Sequence, residues 1–170
     1  MLHHKHPGLA GRLAADGRTL EPHPDALRDD ARQVWIPLPD AAGREVDALE
    51  GLLCVPTREG AARVVAVPHV ASHLALGDEL AIADWDGEPL ARGELASSLH
   101  ATVRVVVGPE RTWQDIASAL ERACWFDVMG AHAVAVAVPR MLLAATFETL
   151  DRLTGELGAR WEYATPARHS

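Results

Sequence analysis

Cysteine is scarce in this sequence. The 170 residues hold two, Cys54 and Cys124, far apart and each in apolar surroundings. That excludes a disulfide framework or a redox pair and reads as two small buried hydrophobes. Aromatic residues are few, at 5%. Serine is rarer still, with five in the chain. No apolar run approaches the roughly 20 residues of a membrane span. The first residues, Met1-Leu2-His3-His4-Lys5-His6, have no apolar stretch after the basic residue, so they do not read as a secretory leader. A cytoplasmic location is the expectation. Also absent are a metalloprotease helix motif, a nucleophile elbow, a phosphate loop and a dinucleotide fingerprint. No cofactor is expected.

Positive charge is in deficit. The net charge is -8, and residues 32–98 carry 11 acids against 5 bases. Such a field repels a phosphate backbone and attracts a basic protein surface. Nucleic acid and membrane are therefore set aside as partners.

The chain is long enough for one domain or two small lobes. Residues 1–31 hold several prolines and glycines and no sustained hydrophobic period, and read as a disordered arm. Residues 32–98 read as a small β-rich lobe. Strand candidates run over 33–38, 49–55, 63–67, 79–84 and 90–96, with turn residues at 39–43 and an Asp86-Gly87 hairpin signal. Short strands at this spacing suggest a small barrel. Residues 99–170 spell strand, helix, two strands, helix, strand. Thr112 and Asp115 form a capping box. Leu143, Phe147, Leu150, Leu153 and Leu157 make one helical stripe, and Gly158 ends it. Right-handed crossovers put both helices on one face. The fold class expected is α+β, with a barrel-like N-terminal lobe packed on a ferredoxin-like C-terminal lobe.

The other face of that C-terminal sheet carries Ala133, Ala135 and Ala137. A low apolar surface of this kind has to be covered, by the N-terminal lobe, a second copy or a partner.

Four short stretches, in order, carry a family resemblance. They are Ala48-Leu49-Glu50-Gly51-Leu52-Leu53, residues 63–68, Leu76-Gly77-Asp78-Glu79-Leu80, and Gly158-Ala159-Arg160-Trp161-Glu162-Tyr163. The chain resembles, over about residues 33–168, the bacterial proteins grouped as domain of unknown function 4265. Where that family tends to have an aromatic residue, this chain has Pro68-His69. The resemblance implies the architecture and carries no activity.

A few residues could hold chemistry. Ser97-Ser98 with His100 nearby lacks an orienting acid. His3, His4 and His6 would chelate an ion weakly, as any histidine-rich arm does. His69 and His73 are four apart and could bind a metal with Asp78 or Glu79, although Pro68 and Gly77 favour a loop there. Glu50, beside an apolar run, is a candidate acid or base. Arg104 is expected opposite Glu162, as an ion pair or as a seat for an anion. Trp161 and Tyr163 share a face of the last strand, in the core or as an aromatic platform.

The function expected is a non-enzymatic protein-interaction module, of inhibitor or immunity type, that binds a basic partner or a second copy through the open sheet face. One alternative is a small-ligand sensor with a site between the lobes at Glu50, Asp78 and Arg104. The other is a metal-assisted enzyme using His69 and His73.

Overall fold

The structure, a computed structural model, describes residues 2–5, 9–39, 45–120 and 122–164. It is mixed α+β, mostly strands, with a closed five-strand barrel and a separate sheet. The turn expected at 40–43 and the side chain of His6 lie outside the described residues.

The barrel is built from β4 (Arg32–Pro39), β5 (Glu45–Arg58), β6 (Ala61–Val64), β7 (Glu79–Trp85) and β8 (Glu88–Ala96). Each strand pairs antiparallel with the next, and β8 returns to β4 in parallel to close the ring. Closure removes the free edges that an open sheet of this size would expose. Val34, Ile36, Leu52, Cys54, Val64 and Leu80 fill the interior. β5 is longer than expected and runs through Pro56, with a register shift there. The β7–β8 turn has Asp86 at φ 54 and Gly87 at φ 83, the positive dihedrals that a two-residue hairpin with right-handed twist needs.

The second sheet contains β9 (His100–Val106), β10 (Trp125–Gly130), β11 (Ala133–Pro139) and β12 (Arg160–Tyr163), ordered β12-β9-β11-β10 and antiparallel throughout. Helix α1 (Trp113–Ala119) follows β9 and α2 (Leu143–Leu157) follows β11. Both pack on one face, where Ile116, Leu150 and Leu153 meet Val103, Val105, Val134 and Val136. The Thr112 amide donates to Asp115 Oδ2 at 2.8 Å, as the capping box requires. Gly158 ends α2 in the left-handed region, at φ 60. Helix α1 is shorter than its apolar stripe: Leu120 is already extended, yet it and Cys124 remain buried in the same core.

Much of the stretch expected as a disordered arm is built into the two sheets. β1 (Leu2–Lys5) pairs with β5. β2 (Gly11–Leu13) and β3 (Leu20–Pro22) form a hairpin on the edge of β10. Asp16 shapes its turn by accepting from the amides of Arg18 and Thr19. At Gly11 a Cβ would lie 2.7 Å from the Glu21 carbonyl oxygen, so only glycine allows so close an approach. The Arg12 guanidinium sits 4.1 Å from the centroid of a Trp125 ring, and His23 packs on the other contact of that indole at 4.4 Å. Three-residue strands have too short a period to read, and the partners that hold them are distant in sequence.

The alanine face is covered by the chain itself. Ala135 and Ala137 are fully buried against Val67, Leu76 and Ala10. Val67 and Leu76 belong to the segment 65–78 that links β6 to β7, so of the three covers expected, the N-terminal lobe, a second copy or a partner, it is the N-terminal lobe that takes this surface. Among the described residues, no helix is long and apolar enough to cross a membrane.

Candidate functional site

Among the described residues, six polar or charged residues are buried, and five of them serve the segment 65–78. Glu50, on β5, receives the amides of His69 (2.7 Å), Val70 (3.1 Å) and Ala71 (2.5 Å). Three backbone donors on one carboxylate compensate its removal from water. Asp78 receives Ala75 N at 2.8 Å and Ser98 N at 2.7 Å, tying the end of the segment to the start of the second sheet. Thr102 Oγ1 donates to the Leu74 carbonyl. His69 Nε2 lies 3.3 Å from Asp127 Oδ1 of β10, both side chains being almost wholly buried. The carboxylates expected as an acid, a base or ligand contacts are therefore the anchors of a buried loop.

Arg104 stands apart from them. Its Nη1 donates to Glu162 Oε1 at 2.7 Å across β9 and β12. Among the described residues, Glu50, Asp78 and Arg104 are thus not gathered in one place: the segment 65–78 lies between the sheets. Trp161 and Tyr163 lie opposite Val105 and Val103 on the helix side. Trp161 stacks on Phe147 at 4.9 Å, Tyr163 meets the same ring edge-on at 5.7 Å, and Trp161 Nε1 donates to Asp151. Neither ring faces the barrel.

His69 and His73 take different roles. His69 turns to Asp127, while His73 lines a cleft in the barrel wall. Among the described residues, no group of three or more histidine, cysteine or acidic side chains could hold a metal ion. Ser98 Oγ accepts from the His100 amide and its own amide is committed to Asp78, so these residues serve the connection from β8 to β9.

The cleft has a volume of about 510 Å³. It opens where β4 and β8 part. Their parallel pairing is confined to Trp35 opposite Leu90, and the residues just beyond on both strands line the opening: Ile36, Pro37 and Pro39 on one side, Ala91 to Glu94 on the other. Proline has no N–H to donate, so β4 cannot extend a full ladder through Pro37 and Pro39. The floor is apolar, with Leu49, Leu74, Leu80 and Trp85. The rim carries His73, Arg92 and Glu94. Burial lowers the pKa of His73 from the usual 6.5, against the pull of Glu94, Glu50 and Asp78, which favours the neutral ring. Its Nδ1 is buried with no hydrogen-bond partner among the described residues. Glu94 accepts from Ser97 Oγ. An apolar floor with a few polar groups at the mouth of a barrel is the usual make-up of a small-ligand site.

Sequence reasoning passed over Trp85, Arg92, Glu94 and Asp127. The signal for the cleft was the pair of prolines inside a strand, which marks where pairing stops. Asp127 offered one too, as a lone acid in the apolar run Trp125-Phe126-Asp127-Val128.

Residues 50–161 match the family model described as domain of unknown function (DUF4265). No curated protein matches the chain. A solved structure of a hypothetical protein from Neisseria gonorrhoeae is similar in fold, with a TM-score of 0.67 at 18% identity, covering 84% of this chain and 99% of that one.

Proposed function

Because the chain belongs to the DUF4265 family, a grouping defined without an activity, we propose from its geometry that it is a non-enzymatic binding module that holds a small amphipathic molecule in the barrel cleft. The observation that carries this is the seam between β4 and β8, where an otherwise closed barrel leaves an apolar floor open under a polar rim. The protein-partner reading drew on the absence of a catalytic motif, on the acidity of residues 32–98 and on an uncovered alanine face, and that face is occupied by Val67 and Leu76. The ligand site moves from the space between the sheets to the barrel wall. A metal-assisted reaction has no donor set among the described residues and forms no part of the proposal.

Three further readings go with it. The second sheet is a ferredoxin-like plait, supported by its strand order and by two helices on one face. The chain divides into lobes near residue 98, supported by the separate barrel and plait cores. A cytoplasmic setting is supported by the two buried free thiols, of which Cys54 has its pKa pushed up to about 12 by burial, leaving it unreactive.

A thermal-shift series with small amphiphiles, run on the full chain and on Pro37→Trp, tests the ligand site. The indole enters the cleft from its rim. A ligand at 100 times its Kd stabilises by about 2.7 kcal/mol, a shift of several degrees for a domain of this size. The expected result is a stabiliser of the parent chain that leaves Pro37→Trp unmoved. A stabiliser that acts equally on both, or none across the series, contradicts the proposal.

A further inference from the structure

The second sheet ends at β12, and the outer edge of that strand has no partner strand among the described residues. The register shows which main-chain groups face outward there. Ala164 N donates to Thr102 O, and on the far side of β9 Val107 N donates to His132 O. Antiparallel pairing alternates along a strand. Ala164, Glu162 and Arg160 therefore direct their N–H and C=O groups at β9, and those of Trp161 and Tyr163 point away from it. At the opposite edge of the sheet, β3 ends in Pro22, which has no N–H to offer. β12 has no proline, lysine or bulge to blunt it.

The strand is complementary to itself. Two copies of one chain meet about a two-fold axis, which sets their edge strands antiparallel. With Trp161 on the axis, Arg160 of each copy lies opposite Glu162 of the other. These are non-hydrogen-bonded pairs, the close kind, with Cα atoms about 4.5 Å apart. The two Trp161 residues exchange N–H···O bonds across the axis. Moving the axis to Glu162 would add main-chain bonds but set that carboxylate against its own copy, and like charges directly opposite repel. We propose that β12 is a docking edge for a second copy of this chain, paired antiparallel with Trp161 on the two-fold axis. Arg160 and Glu162 are both exposed. Glu162 already accepts from Arg104 at 2.7 Å, and a carboxylate can accept from two cations at once. Arg104 also fixes the Glu162 side chain, so less freedom is lost on pairing. The acidity that would hold two copies apart lies elsewhere: residues 32–98 carry 11 acids and 5 bases, residues 99–170 carry 8 and 7. Four residues give few main-chain bonds, so the pairing depends on the two charge pairs and weakens with salt.

Sedimentation velocity of the full chain, run from micromolar to millimolar concentration, tests this with two variants. Arg160→Glu sets two acids opposite each other. The second variant joins Glu162→Arg to Arg104→Leu, so that no two cations meet within one chain. The parent chain is expected to dimerise, less tightly at high salt. Each variant alone is expected to dimerise more weakly by about tenfold or more, because two attractive cross-strand pairs become two repulsive ones. Mixed, the variants place every acid opposite a base and are expected to form a one-to-one heterodimer of about the parent affinity. A structural role for either residue would not produce that recovery. Arg160 is exposed, so Arg160→Glu keeps the fold and decides alone if the second variant does not fold. A parent chain that stays monomeric at millimolar concentration overturns the proposal. So does Arg160→Glu that dimerises as tightly as the parent, or a folded pair of variants that fails to associate on mixing.

Discussion

Glu50 shows how one residue can mislead a sequence and still organise a structure. A carboxylate next to an apolar run invites a catalytic reading. Its oxygens are instead committed to three successive amides of the segment 65–78. Glu50→Gln places an NH2 group among those donors and removes the charge that strengthens the remaining bonds. We expect a loss of about 2–4 kcal/mol, measured by urea denaturation, with the fold retained. An unchanged denaturation midpoint would mean that the carboxylate does not hold the segment. Residue type alone could not tell these roles apart, because the donors come from main chain about 20 residues away. The same is true of Asp78, whose partners at Ala75 and Ser98 are set by the fold. Arg104 was easier to read: a mid-strand cation beside an acid on the neighbouring strand makes a cross-strand pair.

At the scale of elements, what was legible followed from period and punctuation. The stripe Leu143, Phe147, Leu150, Leu153 and Leu157 packs as one face of α2, and alternation sorted Val134, Val136 and Val138 from Ala135 and Ala137. The hairpin of β2 and β3 was not legible, since neither strand reaches two full alternations. Nor was the placement of the segment 65–78, which has no regular structure and is fixed by tertiary contacts. Its Val67 and Leu76 rest on Ala135 and Ala137 with no exposed surface left between them. Ala135→Leu inserts three carbons there. Overpacking is expected to cost about 1–3 kcal/mol. Thermal unfolding is expected to show a lower Tm than for the same change at exposed Ala131 or Ala145. If Ala135→Leu unfolds no earlier than the exposed controls, the alanine face is not packed under the barrel segment.

For the whole molecule, one sheet shields the other and an opening lies in the barrel wall. Small side chains on the second sheet let the segment 65–78 lie flat across it, and Glu50, Asp78, Thr102 and the His69–Asp127 contact hold it there. With that face taken, the seam between β4 and β8 is where apolar surface meets polar groups under open access. The need for cover was legible from the three alanines. That the barrel supplies it, and that two prolines leave a seam elsewhere, depended on distances across the chain that no local pattern carries. The central claim, that this seam seats a small ligand, is tested most directly by native mass spectrometry of the full chain and of Pro37→Trp, each incubated with the same small-molecule extract of bacterial cells. The expected result is a discrete added mass of small-molecule size on the parent chain and none on Pro37→Trp. The same adduct on both chains, or no adduct on either, would contradict it.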